Sequence, residues 1–227
     1  MFRPRPVALS VPLAGAAGYL LGTAPFADLA ARFAGTGTDS PEAIDLRETG
    51  SGNPGAANAA DVLGKRWGAA VLIADVAKAV LAGAAGRSLG GQTGANVAAT
   101  AAVIGHCYPV WSGGKGGKGV AASIGQVIAT FPTYLPLDIA VAVGTAAVPP
   151  LKERAFVANS VASTVWVASS YLAWKKGWPT GWDTHTNQSL PLGAAISSVC
   201  IASKFVTNPS EHYTEPEVVP NERVPAP

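Results

Sequence analysis

The sequence predicts an all-α, polytopic integral membrane protein with about seven transmembrane helices, and three observations carry that prediction. Charged residues are 13% of the 227-residue chain, against roughly 25% in soluble domains, too few to coat a water-facing surface. The charges are also unevenly spaced. None falls between Arg5 and Asp28, or within residues 88–114, 119–137, 155–174 and 184–203. Each gap is comparable to the roughly 20 residues a helix needs to cross a bilayer core. Ala and Gly recur through these stretches, which lets helices approach closely in lipid.

The first predicted span covers residues 7–29 and follows Arg3 and Arg5. That flank also fits a cleaved signal peptide, but the apolar run continues through Phe26, which favours a retained helix. Six further spans follow, at residues 67–85, 95–107, 119–131, 135–148, 156–173 and 190–206. An odd number of spans puts the termini on opposite sides. The loops after the first, third and fifth spans, with the C-terminal tail, hold Arg32, Arg47, Lys65, Arg66, Lys115, Lys118, Lys152, Arg154, Lys204 and Arg223. The other side holds only Arg3, Arg5, Arg87, Lys175 and Lys176. The positive-inside bias therefore predicts the N-terminus outside and the C-terminus in the cytoplasm. Residues 35–45 are polar and turn-rich and read as a cytoplasmic loop. Residues 1–206 form the transmembrane domain. Residues 207–227, with five prolines and four glutamates, read as a disordered cytoplasmic tail.

Other classes are disfavoured. A net charge of +2 without a basic block argues against nucleic acid as a partner. No internal repeat is visible, which counts against a repeat-built transporter. Cys107 and Cys200 lack metal-ligand spacing and read as small apolar residues.

The chemistry-bearing residues cluster in two predicted cytoplasmic loops and one span. The first loop runs Gly50-Ser51-Gly52-Asn53-Pro54-Gly55-Ala56-Ala57-Asn58. Its glycines let the backbone turn N–H groups toward an anion, and its short polar side chains suit phosphate or hydroxyl groups. An interhelical turn with capping residues is the structural alternative. The second loop contains Gly105-His106-Cys107-Tyr108-Pro109 and Gly113-Gly114-Lys115-Gly116-Gly117-Lys118-Gly119. Lysines among glycines combine fixed cations with exposed backbone donors, which suits phosphate at a membrane surface. It is not a nucleotide-binding P-loop, because Pro109 or Ser112 occupies the required first glycine position. His106 is either a structural histidine or a base beside that loop. Asp75 and Lys78 lie three apart on one helix face inside the second span, where charge is costly and usually functional. A mutually neutralising structural pair is the plainer reading.

Four stretches together resemble the bacterial acyl-phosphate glycerol-3-phosphate acyltransferases of the PlsY type. Residues 18–26, Gly-Tyr-Leu-Leu-Gly-Thr-Ala-Pro-Phe, are similar to that family's opening Gly-Ser-x-Pro-Phe helix. The first loop resembles its Gly-Ser-Gly-Asn-x-Gly-Ala-Thr-Asn motif. Asp75 and Lys78 resemble its Asp-x-x-Lys. The second loop resembles Gly-His-x-Phe/Tyr-Pro followed by Lys-Gly-Gly-Lys-Gly-Val-Ala. The resemblance implies a seven-helix fold in the bacterial cell membrane with an active site facing the cytoplasm. It implies transfer of a fatty acyl group from acyl phosphate to the 1-hydroxyl of glycerol 3-phosphate, giving lysophosphatidic acid for phospholipid synthesis. The bilayer and the two phosphate substrates are the implied partners, with room for a protein partner. No cofactor or metal is implied, because acyl phosphate is already activated. Matched by position, Ser51, His106 and Lys118 are the expected catalytic residues. Gly52, Asn53, Gly55, Asn58, Lys78, Lys115, Gly116 and Gly117 are the expected substrate contacts.

The chain departs from that pattern at three places. Ala57 stands for a threonine, and Asp61 for an arginine that would hold phosphate. Residues 202–209, Ala-Ser-Lys-Phe-Val-Thr-Asn-Pro, replace a His-Arg-x-Asn-Ile motif. Arg47 and Lys65 are the nearby cations that bear on the lost arginine. These departures motivate the alternative of a non-catalytic relative that binds a lipid phosphate or serves as a subunit of a membrane complex.

Overall fold

The structure is a computed structural model and describes residues 7–35, 44–148 and 155–208. Among the described residues all regular secondary structure is helical, apart from one isolated bridge between Pro179 and His185. The helices are α1 (Val7–Gly22), α2 (Phe26–Gly35), α3 (Ala56–Leu63), α4 (Lys65–Cys107), α5 (Val120–Thr130), α6 (Leu135–Ala147), α7 (Ala155–Lys176) and α8 (Ser189–Thr207). The predicted tail lies outside the described residues from position 209 on, as do residues 36–43 of the predicted first-loop segment.

The centre of the fold is α4, which is two helices rather than one. Gly90 (φ −140°) and Gly91 (φ 60°, ψ −147°) leave helical geometry, and the backbone at Gly91 is one that side chains with a Cβ rarely adopt. The two limbs then run back along each other. A Cβ built on Gly86 would overlap the Gly94 carbonyl, and one on Gly94 the Gly86 carbonyl. The second and third predicted spans are these limbs, joined by a helical reversal instead of a loop.

The remaining helices pack on this hairpin through small residues. Gly18 and Gly22, one turn apart on α1, lie against the backbone of Ala98 and Ala102 on the second limb. This is the small-xxx-small approach that serves helix packing in lipid, where apolar burial gives no drive. Gly125 of α5 sits against the Val76 carbonyl of the first limb. The buried centre contains Ala79, Ala82, Ala102, Val103, Ala122 and Ile201. Large apolar side chains point outward instead: Ile73 is 68% exposed and Val199 70%. That inside-out distribution fits a chain whose surroundings are lipid.

At the reversal end the bundle is closed by polar side chains. Arg87 donates to Gln92 and to the Ala129 carbonyl, both at 2.6 Å. Gln92 donates to Asn96 and to the Thr130 carbonyl, and Asn96 donates to Ser189. Buried amides paired in this way avoid the cost of unsatisfied polar groups.

Three predicted spans are corrected. The first, 7–29, breaks after Gly22 at Thr23-Ala24-Pro25, where proline interrupts the helix and α2 begins. The fourth and fifth are the two arms of α5 and α6, bent by 116° across a short break. The 11 residues of α5 reach only about 16 Å at 1.5 Å per residue, about half a bilayer core. Among the described residues three helical stretches, Leu9–Gly35, Lys65–Ser112 and Ser189–Thr207, are long and apolar enough to cross a membrane, or four if the bent pair is one span.

The packing yields a paired test. Gly18→Val places side-chain atoms in the Ala98 backbone and is expected to destabilise the folded protein by about 1–3 kcal/mol, in line with overpacked sites. Gly144→Ala, with nothing within 4 Å of the added Cβ, is expected to leave the melting temperature unchanged or slightly raised. Equal melting temperatures for the two variants in detergent would refute the α1–α4 contact.

Candidate functional site

The α4 reversal fixes the first element of the site. Asp75 and His106 stand at similar distances before and after it, so the two limbs bring them together across the hairpin. Asp75 Oδ1 lies 3.3 Å from His106 Nδ1 and 2.9 Å from Lys78 Nζ. All three side chains are almost fully buried. Lys78 Nζ also donates to the Ala24 carbonyl at 3.1 Å and lies over the Phe26 ring. The break between α1 and α2 therefore supplies a partner for the buried ammonium. A charged group in such surroundings is tolerated only when paired, and Lys78 has both a carboxylate and a carbonyl.

The second glycine loop closes over the free edge of His106. Its chain folds back through Gly114 N–H to the Pro109 carbonyl and Gly116 N–H to the Cys107 carbonyl. A Cβ on Gly117 would collide with His106 Nε2, and one on Gly116 with the His106 carbonyl. Those two glycines are thus required by the approach of the loop to the imidazole. Trp111 Nε1 donates to Thr23 Oγ1 at 3.0 Å, tying the same loop to the end of α1.

The first loop is built around Asn58, which is 1% exposed. Its Oδ1 accepts from Ser51 N–H at 2.8 Å, and its Nδ2 donates to the carbonyls of Leu46 and Thr49 at 2.9 and 3.0 Å. Arg47 then joins the two loops. Its guanidinium makes two hydrogen bonds to the Asp28 carboxylate, at 2.7 and 3.1 Å, and its Nε donates to the Lys115 carbonyl at 2.9 Å. The Asp28 carboxylate, bonded to the guanidinium, holds the Arg47 pKa above the ordinary arginine value. Such two-point carboxylate pairing suits arginine rather than lysine.

Two cavities result, and they share Arg47, Pro54 and Gly116. The inner, of about 140 Å³, is lined by Thr23, Asp28, Asp75, Lys78, His106 and Trp111, among others. The outer, of about 380 Å³, is lined by Gly52, Glu48, Lys115, Lys204 and Asn208, among others. Of the residues expected from sequence, Lys78, His106, Gly116 and Gly117 face the inner cavity, and Gly52, Lys115 and Gly116 the outer.

Other expected contacts lie elsewhere. Asn58 spends its amide on the backbone of the first loop and lines neither cavity. Ser51, Asn53, Gly55 and Lys118 line neither cavity. Gly55 abuts the Asn53 amide, whose Oδ1 is buried without a hydrogen-bond partner. Lys118 Nζ lies 4.7 Å from the centre of the Phe205 ring, and burial lowers its pKa below that of ordinary lysine. Of the two cations weighed against the lost arginine, Arg47 faces both cavities, whereas Lys65 lines a separate cavity with Arg66 and Trp67. Asp61 is exposed on α3 and lines neither site cavity. Asp28, Thr23, Trp111 and Lys204 had no signal of their own in sequence, because the contacts that recruit them span 19 to 90 residues.

Comparison with known proteins gives one consistent picture. The family model described as glycerol-3-phosphate acyltransferase matches residues 13–210. A glycerol-3-phosphate acyltransferase of Roseobacter denitrificans is 39% identical over 166 residues, covering 73% of this chain and 76% of that protein. One from Dinoroseobacter shibae is 45% identical over 117 residues, covering 52% of this chain and 54% of that protein. The crystal structure of PlsY (YgiH), an integral membrane glycerol 3-phosphate acyltransferase in its glycerol 3-phosphate form, superposes with a TM-score of 0.64 at 26% identity. It covers 89% of each chain.

Asn58→Ala leaves Ser51 N–H and the Leu46 and Thr49 carbonyls without their partner. At about 1–3 kcal/mol for each buried unsatisfied group, a loss of about 2 kcal/mol or more is expected. Hydrogen exchange across residues 46–58 should speed up, and protection unchanged from wild type would show that the loop holds itself.

Proposed function

The chain belongs to the glycerol-3-phosphate acyltransferase family, and we propose that it moves a fatty acyl group from acyl phosphate to the 1-hydroxyl of glycerol 3-phosphate. The observation that carries this reading is the inner cavity, where a buried Asp75–His106 pair meets a cationic glycine loop and Arg47. The products are lysophosphatidic acid and inorganic phosphate.

The geometry supports the following roles. With Nδ1 donating to Asp75, His106 keeps Nε2 as an acceptor at the edge beside Gly117. A hydroxyl placed there gives up its proton as its oxygen attacks the acyl carbonyl carbon. The bond from that carbon to the phosphate oxygen breaks, and the released phosphate takes up the proton. Lys78 pairs with Asp75 and orients it. Arg47 and Lys115, on the cavity walls, stabilise the charge that collects on the departing phosphate, and Lys118 is added to them by its motif, from a position outside both cavities. Ser51 and Asn53 belong to the first loop, where Asn53 Oδ1 is buried without a hydrogen-bond partner. Holding both substrates in one small site supplies much of the rate advantage.

The same reading sets the membrane arrangement. Seven spans remain the proposal, with the α4 hairpin counted as two crossings, the arms α5 and α6 as one each, and α7, α8 and the N-terminal helix as the other three. The positive-inside bias of the loop cations supports a site on the cytoplasmic side of the bacterial inner membrane, with the N-terminus outside. The non-catalytic alternative loses its main support, because Asp61 lines neither cavity.

The deciding assay uses purified protein in lipid with acyl phosphate and glycerol 3-phosphate, following phosphate release and lysophosphatidic acid. Wild type should turn over, and His106→Ala should lower kcat by about 10²–10⁴-fold, the usual scale for a positioned base. Absence of turnover in folded wild-type protein would sink the assignment.

Lys118 gives a pH test. Its ammonium is charged below its pKa, and burial lowers that pKa. The rate should therefore decline with rising pH earlier than for an ordinary lysine near pKa 10.4. Lys118→Arg, charged throughout, should carry the rate further into the alkaline range. A pH profile unmoved by that substitution would remove Lys118 from phosphate binding.

A further inference from the structure

The geometry points to Lys204 as a phosphate ligand of this chain, supplying from the last helix the cation that Asp61 does not. Resting on the acyltransferase reading above, we infer that the outer cavity receives the terminal phosphate group of a substrate. Lys204 and Lys115 would hold it, and Asn208 would donate to it from the wall.

Lys204 is 5% exposed, yet among the described residues no carboxylate lies within 4.0 Å of its ammonium. Its contacts are the Gly114 carbonyl at 3.4 Å and the face of Tyr108, 5.0 Å from the ring centre. Position in the last turn of α8 gives some support from the helix dipole. None of these partners is an anion. A buried ammonium left without a counter-charge is costly, and this one borders a polar cavity.

The composition of that cavity fits an anion. Three cations, Arg47, Lys115 and Lys204, meet two carboxylates, Asp45 and Glu48. Asp45 is already turned to Arg47, accepting from its backbone N–H at 2.8 Å and lying 3.5 Å from its guanidinium. Arg47 in turn is committed to Asp28. Glu48 balances the remaining charge, yet among the described residues no carboxylate lies within 4.0 Å of either lysine ammonium, so both ammoniums stand without a direct ion pair. The cavity also adjoins the inner one, sharing Arg47, Pro54 and Gly116 in its lining. A short phosphorylated alcohol with its phosphate in the outer cavity can extend its far hydroxyl toward His106.

The loss of the family's C-terminal motif then has a local answer. Residues 202–209 keep Lys204 and Asn208 on the cavity wall, although the motif's residue types are gone.

The test measures each substrate separately in wild type, Lys204→Met and Lys204→Arg. Lys204→Met is expected to raise KM for one phosphate substrate about ten-fold or more, the scale of a hydrogen bond to a charged group, with kcat changed far less. Lys204→Arg should recover most of it. A rise for glycerol 3-phosphate assigns the site to the acceptor, and a rise for acyl phosphate assigns it to the donor. In parallel, glycerol 3-phosphate and inorganic phosphate are tested as stabilisers against heat. Wild type should gain melting temperature from at least one, and Lys204→Met should lose that gain while melting normally without ligand. If Lys204→Met lowers kcat with both KM values and the phosphate-induced stabilisation intact, Lys204 only anchors α8 on Tyr108 and the inference is overturned. If Lys204→Met does not fold, the same judgement rests on Lys204→Gln. Failure of wild type to turn over would count against the acyltransferase reading, whereas the thermal measurement still decides Lys204.

Discussion

Everything at the site depends on two adjacent glycines more than 20 Å of helix away from it. Gly90 and Gly91 reverse α4 and set its limbs antiparallel, and only that register brings Asp75 to His106. The contact is worth having because neither group is stable alone. A carboxylate and an ammonium on one apolar helix would be a liability in lipid. A carboxylate shared by Lys78 and His106, with the ammonium also bonded to the chain break after α1, becomes a rigid polar insertion. The hairpin, the α1–α2 break and the triad are therefore one construction.

The two glycine loops act on this insertion in different ways. The second loop uses its missing side chains for proximity, since Gly117 lies where any Cβ would strike His106 Nε2. The first uses its glycines to wrap around an amide, and its sequence motif is largely the record of how Asn58 is enclosed. Arg47 joins them, with Asp28 on one side of its guanidinium and the Lys115 carbonyl on the other. A single residue thereby sets the spacing of the loops and so the width of both cavities.

Much of this was legible in the sequence, and the parts that were not share a cause. The membrane character, the helical stretches and the two loops follow from charge spacing and glycine density, which are local properties. Asp75 and Lys78 stood out because charge inside an apolar stretch is conspicuous. The break after Gly22 and the bend between α5 and α6 escaped because a continuous apolar run looks the same whether it is straight or folded. The enclosure of Asn58 by the Ser51 N–H and the Leu46 and Thr49 carbonyls was not legible because a residue's type does not reveal which partner it satisfies. Lys204 was hidden for a third reason: it reads as the ordinary basic end of a last helix, and its burial beneath the second loop arises from packing between distant segments.

The polar closure at the reversal end has a mechanical consequence. Arg87, Gln92, Asn96 and Ser189 link both limbs of α4 to the end of α5 and the start of α8. The loop end is tied as well, by the Asp75–Lys78–His106 cluster, by Asn58 inside the first loop and by Tyr108 Oη against Ser203 Oγ at 2.7 Å. The bundle is thus fastened at both ends by polar side chains, with small residues in backbone contact between them.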